Sequence, residues 1–476
     1  MYDVAVVGGG VIGGTVLRKL AEYDLKICLL EKENDVCMGQ SKANSGIVHA
    51  GFDAPVGSLK AKFNVLGSRM MEKYTKELGV KYRNNGSLVV AFSDEDMGTL
   101  KILKKRGEDN GVKDLEIIWR KELFVLEPNI SAAAVGALFA KTGGIVCPYE
   151  LTIAAIGNAM DNGAELFTDF DVCAINRKDG FFRVCAADGR MVESKLIVNA
   201  AGINSQKIAN LCGDNSFTVH GRKGEYILLD RESGDFVNHT LFFTPTKAGK
   251  GVLVTQTVDN NILLGPTSVE VGVPSVDTTQ EGLAFVSEKA SKMCKGVPFY
   301  NTITSFCGVR AYCDRHDFIV EESALAEGLI NCAGIESPGL TSAPAIAEYV
   351  VNKLVSKRLT LNKNPRFNGK RRADDFFKHL SDEEKNRLIK KEPSYGKIVC
   401  RCEQITEGEI LAAIRNNPKA TSVDAVKRRT RAGMGRCQGG FCQSYVAELI
   451  AKERGVDLEK ITKNGGKSYL LMGKTK

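Results

Sequence analysis

The sequence has 476 residues, 43% hydrophobic and 26% charged, an ordinary globular composition that excludes long disorder and supplies a sizeable core. At roughly 150 residues per domain, two or three domains are expected. No run reaches the roughly 18 apolar residues of a membrane-spanning helix. Met1 leads at once into strand-like sequence, without the basic start and long apolar stretch of a signal peptide. A cytoplasmic protein is therefore expected, with peripheral attachment to a membrane through a partner as the variant.

The net charge of +8 is uneven. Residues 357–476 hold 28 Lys and Arg against 14 Asp and Glu, whereas residues 1–356 hold 37 against 43. The tail is thus a separate unit in charge. It has no helix-turn-helix pattern and no interleaved aromatics, so nucleic acid is not expected as a partner. Docking to an acidic partner or a membrane surface fits such a tail equally well.

In chain order, residues 3–7 (DVAVV) read as a buried strand. Gly8, Gly10 and Gly13 then supply G-x-G-x-x-G, and a helix follows from Gly13 through Leu20. Residues 27–30 (ICLL) form the second strand, and Glu31 stands at its end. The first glycine makes a tight turn, the second admits a pyrophosphate, and the third lets helix pack on strand. The helix N-terminus favours phosphate, and Glu31 can accept both ribose hydroxyls, which disfavours NADP. FAD and NAD both fit this unit.

Residues 41–51 (SKANSGIVHAG) read as a loop rich in small side chains. Residues 169–190 predict a hairpin-like region with turns at Asp179-Gly180 and Asp188-Gly189. Residues 196–205 (LIVNAAGINS) are an apolar strand opening into small residues, with room for a cofactor beside the backbone. Residues 247–265 alternate as strands, with turns at Lys250-Gly251 and Asn260-Asn261. Residues 306–309 (FCGV) read as a strand ending at Arg310, a side chain able to clamp a carboxylate or phosphate bidentately. Lys223, Lys247, Lys250 and Arg315 are candidates for a second anion contact. After residues 329–341, a helix is expected over 342–354 with Pro344 in its first turn, pointing its N-terminus at something electron-rich.

Residues 357–394 read as a polar, basic linker with one short helix from about Ser381, whose Ser-Asp-Glu-Glu start is a capping signal. Beyond it, helices are expected over 406–414, over 421–429 and over 443–454, the last ended by Gly455. Of the 14 cysteines, ten are scattered, and several of these sit inside apolar runs, where free cysteine behaves as a small buried hydrophobe. Cys400, Cys402, Cys437 and Cys442 form C-x-C and C-x4-C pairs. Four thiolates can hold a [2Fe–2S] cluster or a zinc ion. Lys427, Arg428, Arg429, Arg431 and Arg436 lie close by in sequence; they read plainly as a solvated face, or more sharply as a docking surface for an acidic electron carrier or subunit.

Residues 8–13, 45–51, 199–205, 308–310 and 334–341 together resemble the glutathione-reductase-type FAD oxidoreductases of the D-amino-acid-oxidase superfamily. Within it they resemble the group of FAD-dependent glycerol-3-phosphate dehydrogenases and L-2-hydroxyglutarate oxidases. The resemblance covers about residues 1–360. It implies an α/β fold, with a Rossmann FAD domain of residues 1–80, 145–215 and 325–356 and a β-rich substrate domain of 81–144 and 216–324. It places FAD against Gly8, Gly10, Gly13, Glu31, Ser45, Gly46, Ala201, Gly202, Gly334, Gly339, Leu340 and Thr341, with the Val172 backbone at the adenine. It makes His49 the catalytic base, suited by an imidazole's near-neutral titration, and gives Arg310 the substrate anion. Ala311-Tyr312-Cys313 departs from the pattern of many relatives.

The four cysteines resemble the bacterioferritin-associated-ferredoxin-like domain, although many relatives carry C-x2-C at the second pair. That implies a small helical [2Fe–2S] domain over 395–476 with Cys400, Cys402, Cys437 and Cys442 as ligands. The resulting expectation is an FAD dehydrogenase that oxidises sn-glycerol 3-phosphate to dihydroxyacetone phosphate. Its electrons would pass through the cluster to an electron-accepting protein or a further flavoprotein or iron–sulfur subunit. The alternatives are an L-2-hydroxy acid such as 2-hydroxyglutarate, an amine or imino acid, or a non-enzymatic electron-transfer or zinc-stabilised scaffold subunit.

Overall fold

The computed structural model describes residues 1–245, 251–272, 275–371 and 377–473. Lys247, Lys250 and the start of the expected Lys250-Gly251 turn lie outside the described residues.

The strand Tyr2–Val7 runs parallel between Ile27–Leu30 and Met191–Asn199. Leu329–Ala333 continues the parallel sheet beside Met191–Asn199, and Glu165–Phe167 lies beyond Ile27–Leu30. These runs are apolar on both faces because both faces are covered: Val4, Ala5, Val6, Cys28, Leu29 and Val198 are wholly buried. Val172–Lys178 and Phe181–Ala186 extend the sheet as an antiparallel hairpin, with Asp179 and Gly180 at positive φ in its turn as the sequence predicts. The helix Val11–Leu20 packs against the helices Pro148–Asp161 and Gly339–Tyr349.

The second sheet is larger and mostly antiparallel, with nine strands among the described residues. Its long pair, Val219–Leu229 and Thr302–Cys313, sets Arg222 opposite Arg310. The strand expected to end at Arg310 runs on to Cys313, so Arg310 is an interior strand residue.

Two helix boundaries also differ. The first helix starts at Val11, because Gly10 is its extended N-cap. The last helix of this region starts at Gly339, three residues earlier than expected, which puts Pro344 in its second turn. Proline lacks the N–H for a helical bond, and the segment Val350–Leu354 continues as a π-helix.

The C-terminal unit has the three expected helices, Glu407–Arg415, Val423–Thr430 and Gln443–Arg454. They close around Ile405, Ile410, Val426 and Ile450. Capping boxes stand at Ser381/Glu384 and Thr406/Glu409, and Gly455 ends the last helix at positive φ. The segment before it is not loose. Asn362 O accepts from Asp24 N at 2.8 Å, Gly369 O accepts from Arg18 at 2.9 Å, and Asn368 O accepts from Asn158 at 3.0 Å. Residues 357–371 thus strap the first domain.

The basic residues near the second cysteine pair are neither a solvated face nor, for the most part, available to a partner. Arg428 and Arg429 both bond the Asp35 carboxylate. Arg431, 5% exposed, bridges Asp259 at 2.7 Å and Glu403 at 2.9 Å. Even the exposed Arg436 pairs with Asp230 and Glu232. Acidic residues of the other two domains use these cations to seat the tail on the body.

Candidate active site

A cavity of about 1200 Å³ opens among the first sheet, the second sheet and the loop 38–55. One end is lined by Gly8, Gly10 and Glu31. Gly8 has φ +110°, and a Cβ there would lie 2.4 Å from Ala200 O. A Cβ on Gly13 would lie 2.0 Å from Gly8 O, so that glycine serves helix–strand packing and does not line the cavity. Gly10 offers no side-chain cap, and Val11 N donates to Ser41 Oγ at 2.9 Å. Gly202, at φ +57°, has open space where a Cβ would be, and both it and Ala201 line the cavity.

Glu31 Oε2 accepts from Gly9 N at 2.6 Å and Oε1 from Glu33 N at 3.0 Å. Burial pushes its carboxyl above the usual range despite those two bonds. Each carboxylate oxygen keeps acceptor capacity for a ribose hydroxyl. Glycines at the turn, a helix N-terminus and a buried acid fit the adenosine diphosphate half of FAD. Glu31→Ala should weaken FAD retention by roughly 1.5–3 kcal/mol, the value of hydrogen bonds to a charged group. Titration of flavin fluorescence checks this, and an unchanged affinity would remove Glu31 from the site.

The other end gathers His49, Ser45, Tyr226, Arg310 and residues 337–340. His49 is pinned through its backbone. Its N donates to Thr341 Oγ1 at 2.9 Å, its O accepts from Asn64 at 2.8 Å, and Thr341 donates on to Ile47 O at 3.2 Å. Its Nε2 stands 3.3 Å from Ser337 Oγ, and Phe242 lies beside the ring at 5.9 Å between centroids. Thr341 therefore braces His49 from outside the cavity lining. Ser45 Oγ is 3.3 Å from Tyr226 OH, and Tyr226 stacks on Phe306 at 4.8 Å. The helix Gly339–Tyr349 begins without a side-chain cap, with Gly339 and Leu340 on the cavity. That is the polarity suited to an electron-rich ring edge.

Arg310 lines this end and donates to Thr267 O at 2.8 Å. Of the second cations read from the sequence, Lys223 lies outside the lining, 3.5 Å from Glu225, and Arg315 pairs at the surface with Glu321. Arg222 and Lys60 line the cavity instead. Successive strand residues point to opposite faces, so facing Arg310 across the strand pair is Arg222, not Lys223. Arg222 covers the Tyr312 ring at 4.3 Å and pairs with Glu270, and Lys60 pairs with Glu336 at 2.9 Å. Neither was singled out from the sequence, and nor were Asn64 and Ser337. Alternation along the strand was the one local signal for Arg222.

Besides Gly13 and Thr341, three further expected cofactor residues stand away from the cavity wall. Gly46, at φ +67°, packs on the Val146 carbonyl; Gly334, at φ +61°, packs on Cys313. Val172 is a buried strand residue opposite Ala186.

The cysteines stand as two pairs. Cys402 Sγ is 3.5 Å from Cys437 Sγ, and the Cys400 and Cys442 thiols hydrogen-bond each other. Among the described residues, no three His, Cys, Asp or Glu side chains gather as ligands of one ion. The Cys442 hydrogen bond draws the Cys400 thiol down to about 6, and Cys442 itself is pushed up by that bond and by burial. Backbone N–H groups of Gly439 and Phe441 reach Cys437, and that of Gly433 reaches Cys400. Two thiol pairs amid backbone N–H donors fit a two-iron cluster, in which each iron takes two thiolates.

The family described as FAD dependent oxidoreductase matches residues 3–353. The chain belongs to that family. A second match, the BFD-like [2Fe-2S] binding domain, covers residues 398–452. The oxidoreductase is 47% identical over 477 aligned residues to a glycerol 3-phosphate dehydrogenase of Caloramator mitchellensis, covering 100% of this chain and 99% of that one. It is 32% identical to a glycerol 3-phosphate oxidase of Mycoplasma genitalium over 77% of this chain and 98% of the relative. An FAD-bound L-alpha-glycerophosphate oxidase of Mycoplasma pneumoniae superposes with a TM-score of 0.74 at 30% identity, covering 78% of this chain and 98% of that one. FAD is therefore the nucleotide of the N-terminal site, and the cysteine unit is a [2Fe–2S] domain. Among the described residues, no helix is long and apolar enough to cross a membrane.

Proposed function

We propose that the oxidoreductase converts sn-glycerol 3-phosphate to dihydroxyacetone phosphate and passes the electrons through its cluster to a protein acceptor. One observation carries this reading: a backbone-pinned histidine and three cations, Arg310, Arg222 and Lys60, line one cavity. A full-length relative named for that substrate supports it. Ser45, Gly339 and Leu340 would lie against the flavin, and the helix start at Gly339 would face its most electron-rich edge. Bound FAD supplies the two-electron acceptor for the carbinol hydride. His49 Nε2 takes the hydroxyl proton as the substrate hydroxyl replaces its contact with Ser337 Oγ. Arg310 binds the phosphate, with Arg222 on the same wall. Gly46, Gly334 and Thr341 serve the site by fixing the backbone around it, and the Val172 backbone is assigned to the adenine end.

A second reading is an L-2-hydroxy acid, since the oxidoreductase is 31% identical over 274 residues to an L-2-hydroxyglutarate dehydrogenase of Escherichia coli, covering 64% of that relative. Anaerobic mixing decides between them. Glycerol 3-phosphate should bleach the flavin absorbance rapidly, and L-2-hydroxyglutarate should not. The opposite ranking would overturn the assignment.

Arg310→Met tests the anion clamp. Losing one partner of a desolvated charge pair costs roughly 2–5 kcal/mol, so the substrate concentration for half-maximal bleaching should rise about 30-fold or more. Glycerol without phosphate should be scarcely affected by the change; equal losses for both would mean that Arg310 supports the fold instead.

A further inference from the structure

The loop between the second strand and residue 42 is tied to the glycine turn at two points. Cys37 N donates to Gly9 O at 2.8 Å, and Ser41 Oγ takes the Val11 N–H. Its own outer anchor is Asp35, only 2% exposed. Asp35 Oδ1 accepts from Val36 N at 2.9 Å and Arg429 at 2.7 Å; Oδ2 accepts from Arg428 at 2.5 Å and Arg429 at 2.9 Å. Both arginines come from the helix Val423–Thr430 of the iron–sulfur domain, nearly 400 positions away in sequence. Arg429 is further locked by bonds to Pro418 O and Ala425 O. A bidentate guanidinium on a buried carboxylate fixes orientation as well as distance. Burial alone would raise the Asp35 carboxyl, yet Arg429 and then Arg428 hold it below the usual range, so the clamp is charged.

The clamped loop reaches the cavity. Lys42, at its end, lines the cavity, and the Arg428 charge is felt at its ammonium. Among the described residues, none of the iron–sulfur domain lines the cavity wall itself. Asp35 is the charged contact by which that domain holds the loop.

We infer that Arg428 and Arg429 are positioning residues of the FAD site: by holding Asp35 they fix the loop 33–42 against the glycine turn. The iron–sulfur domain is thus a structural part of the flavin site as well as an electron outlet. Removing the clamp lets the loop leave Gly9 and Val11 and lowers FAD affinity, while ligation at the four cysteines is untouched. By linkage, FAD binding in turn steadies the helix Val423–Thr430. This inference rests on residues 31–42 being the nucleotide end of the FAD site.

The test uses the full chain with its cluster loaded. Asp35→Asn, which keeps shape and removes charge, should weaken FAD binding about tenfold or more by fluorescence titration, with an unchanged cluster spectrum. Affinity within twofold of the parent would overturn the clamp, provided Glu31→Ala does weaken binding. If Glu31→Ala is also silent, the placement of the nucleotide end is what fails, and the clamp falls with it. The unaltered protein gives a second test that no folding defect can blur. FAD added to flavin-free protein should slow amide exchange over residues 423–430. Protection confined to residues before 357 would overturn the inference.

Discussion

Replacing His49 with alanine should slow anaerobic flavin reduction by on the order of 10²–10⁴, the usual worth of a positioned acid–base group, while FAD stays bound. The structure gives a reason to expect retention. Thr341 and Asn64 hold the His49 backbone, not its ring, so those contacts persist in the variant. The ring meets Phe242 and Ser337, and its loss leaves the glycine turn and Glu31 untouched. Stopped-flow bleaching in a single turnover isolates the reductive step from reoxidation. A parental bleaching rate in the variant would make His49 structural and pass the proton to another group. Ser337→Ala should cost much less, because Ser337 yields its contact with the imidazole to the substrate hydroxyl and does not itself take the proton.

Local pattern carried the nucleotide end of this site. The glycine spacing, the apolar strands and Glu31 lie within 31 residues, and each has its own steric or electrostatic reason. The capping boxes at Thr406 and Ser381 were equally legible, since both partners sit three residues apart. The cations at the substrate end were not. Whether Arg222 or Lys223 meets the cavity depends on the parity of an eleven-residue strand, and that parity is set by its pairing with Thr302–Cys313. The basic run at 427–436 shows the same limit more strongly. A charge-dense stretch looks solvated when its acids are remote, and here they are Asp35, Asp230, Glu232 and Asp259. Part of the charge asymmetry between tail and body is thus used in their docking. Arg428, Arg429 and Arg431 meet acids of the body in buried pairs, and Arg436 meets Asp230 and Glu232 at the surface.

That docking bears on how electrons leave. Arg431 is held on two sides by Asp259 and Glu403, and Glu403 adjoins Cys402. Tyr149, at the start of the helix Pro148–Asp161, reaches Met434 Sδ at 3.5 Å. The cluster domain is therefore seated against the flavin domain near the second cysteine pair. Cys437→Ser removes one thiolate of the Cys402–Cys437 pair and should disrupt the cluster. Substrate should still bleach the flavin at close to the parental rate, because the cavity residues lie on other elements. Turnover with a protein acceptor should be abolished, whereas a small dye that reaches the flavin should still be reduced. The two rates are measured side by side: stopped-flow bleaching by glycerol 3-phosphate, and steady-state reduction of the acceptor protein. Arg428 and Arg429 remain in this variant, so FAD affinity should hold, which separates the loss of the cluster from the loss of the clamp. If acceptor turnover survives once the cluster spectrum is gone, the cysteine unit is a brace for the flavin domain and the electrons depart by a different surface.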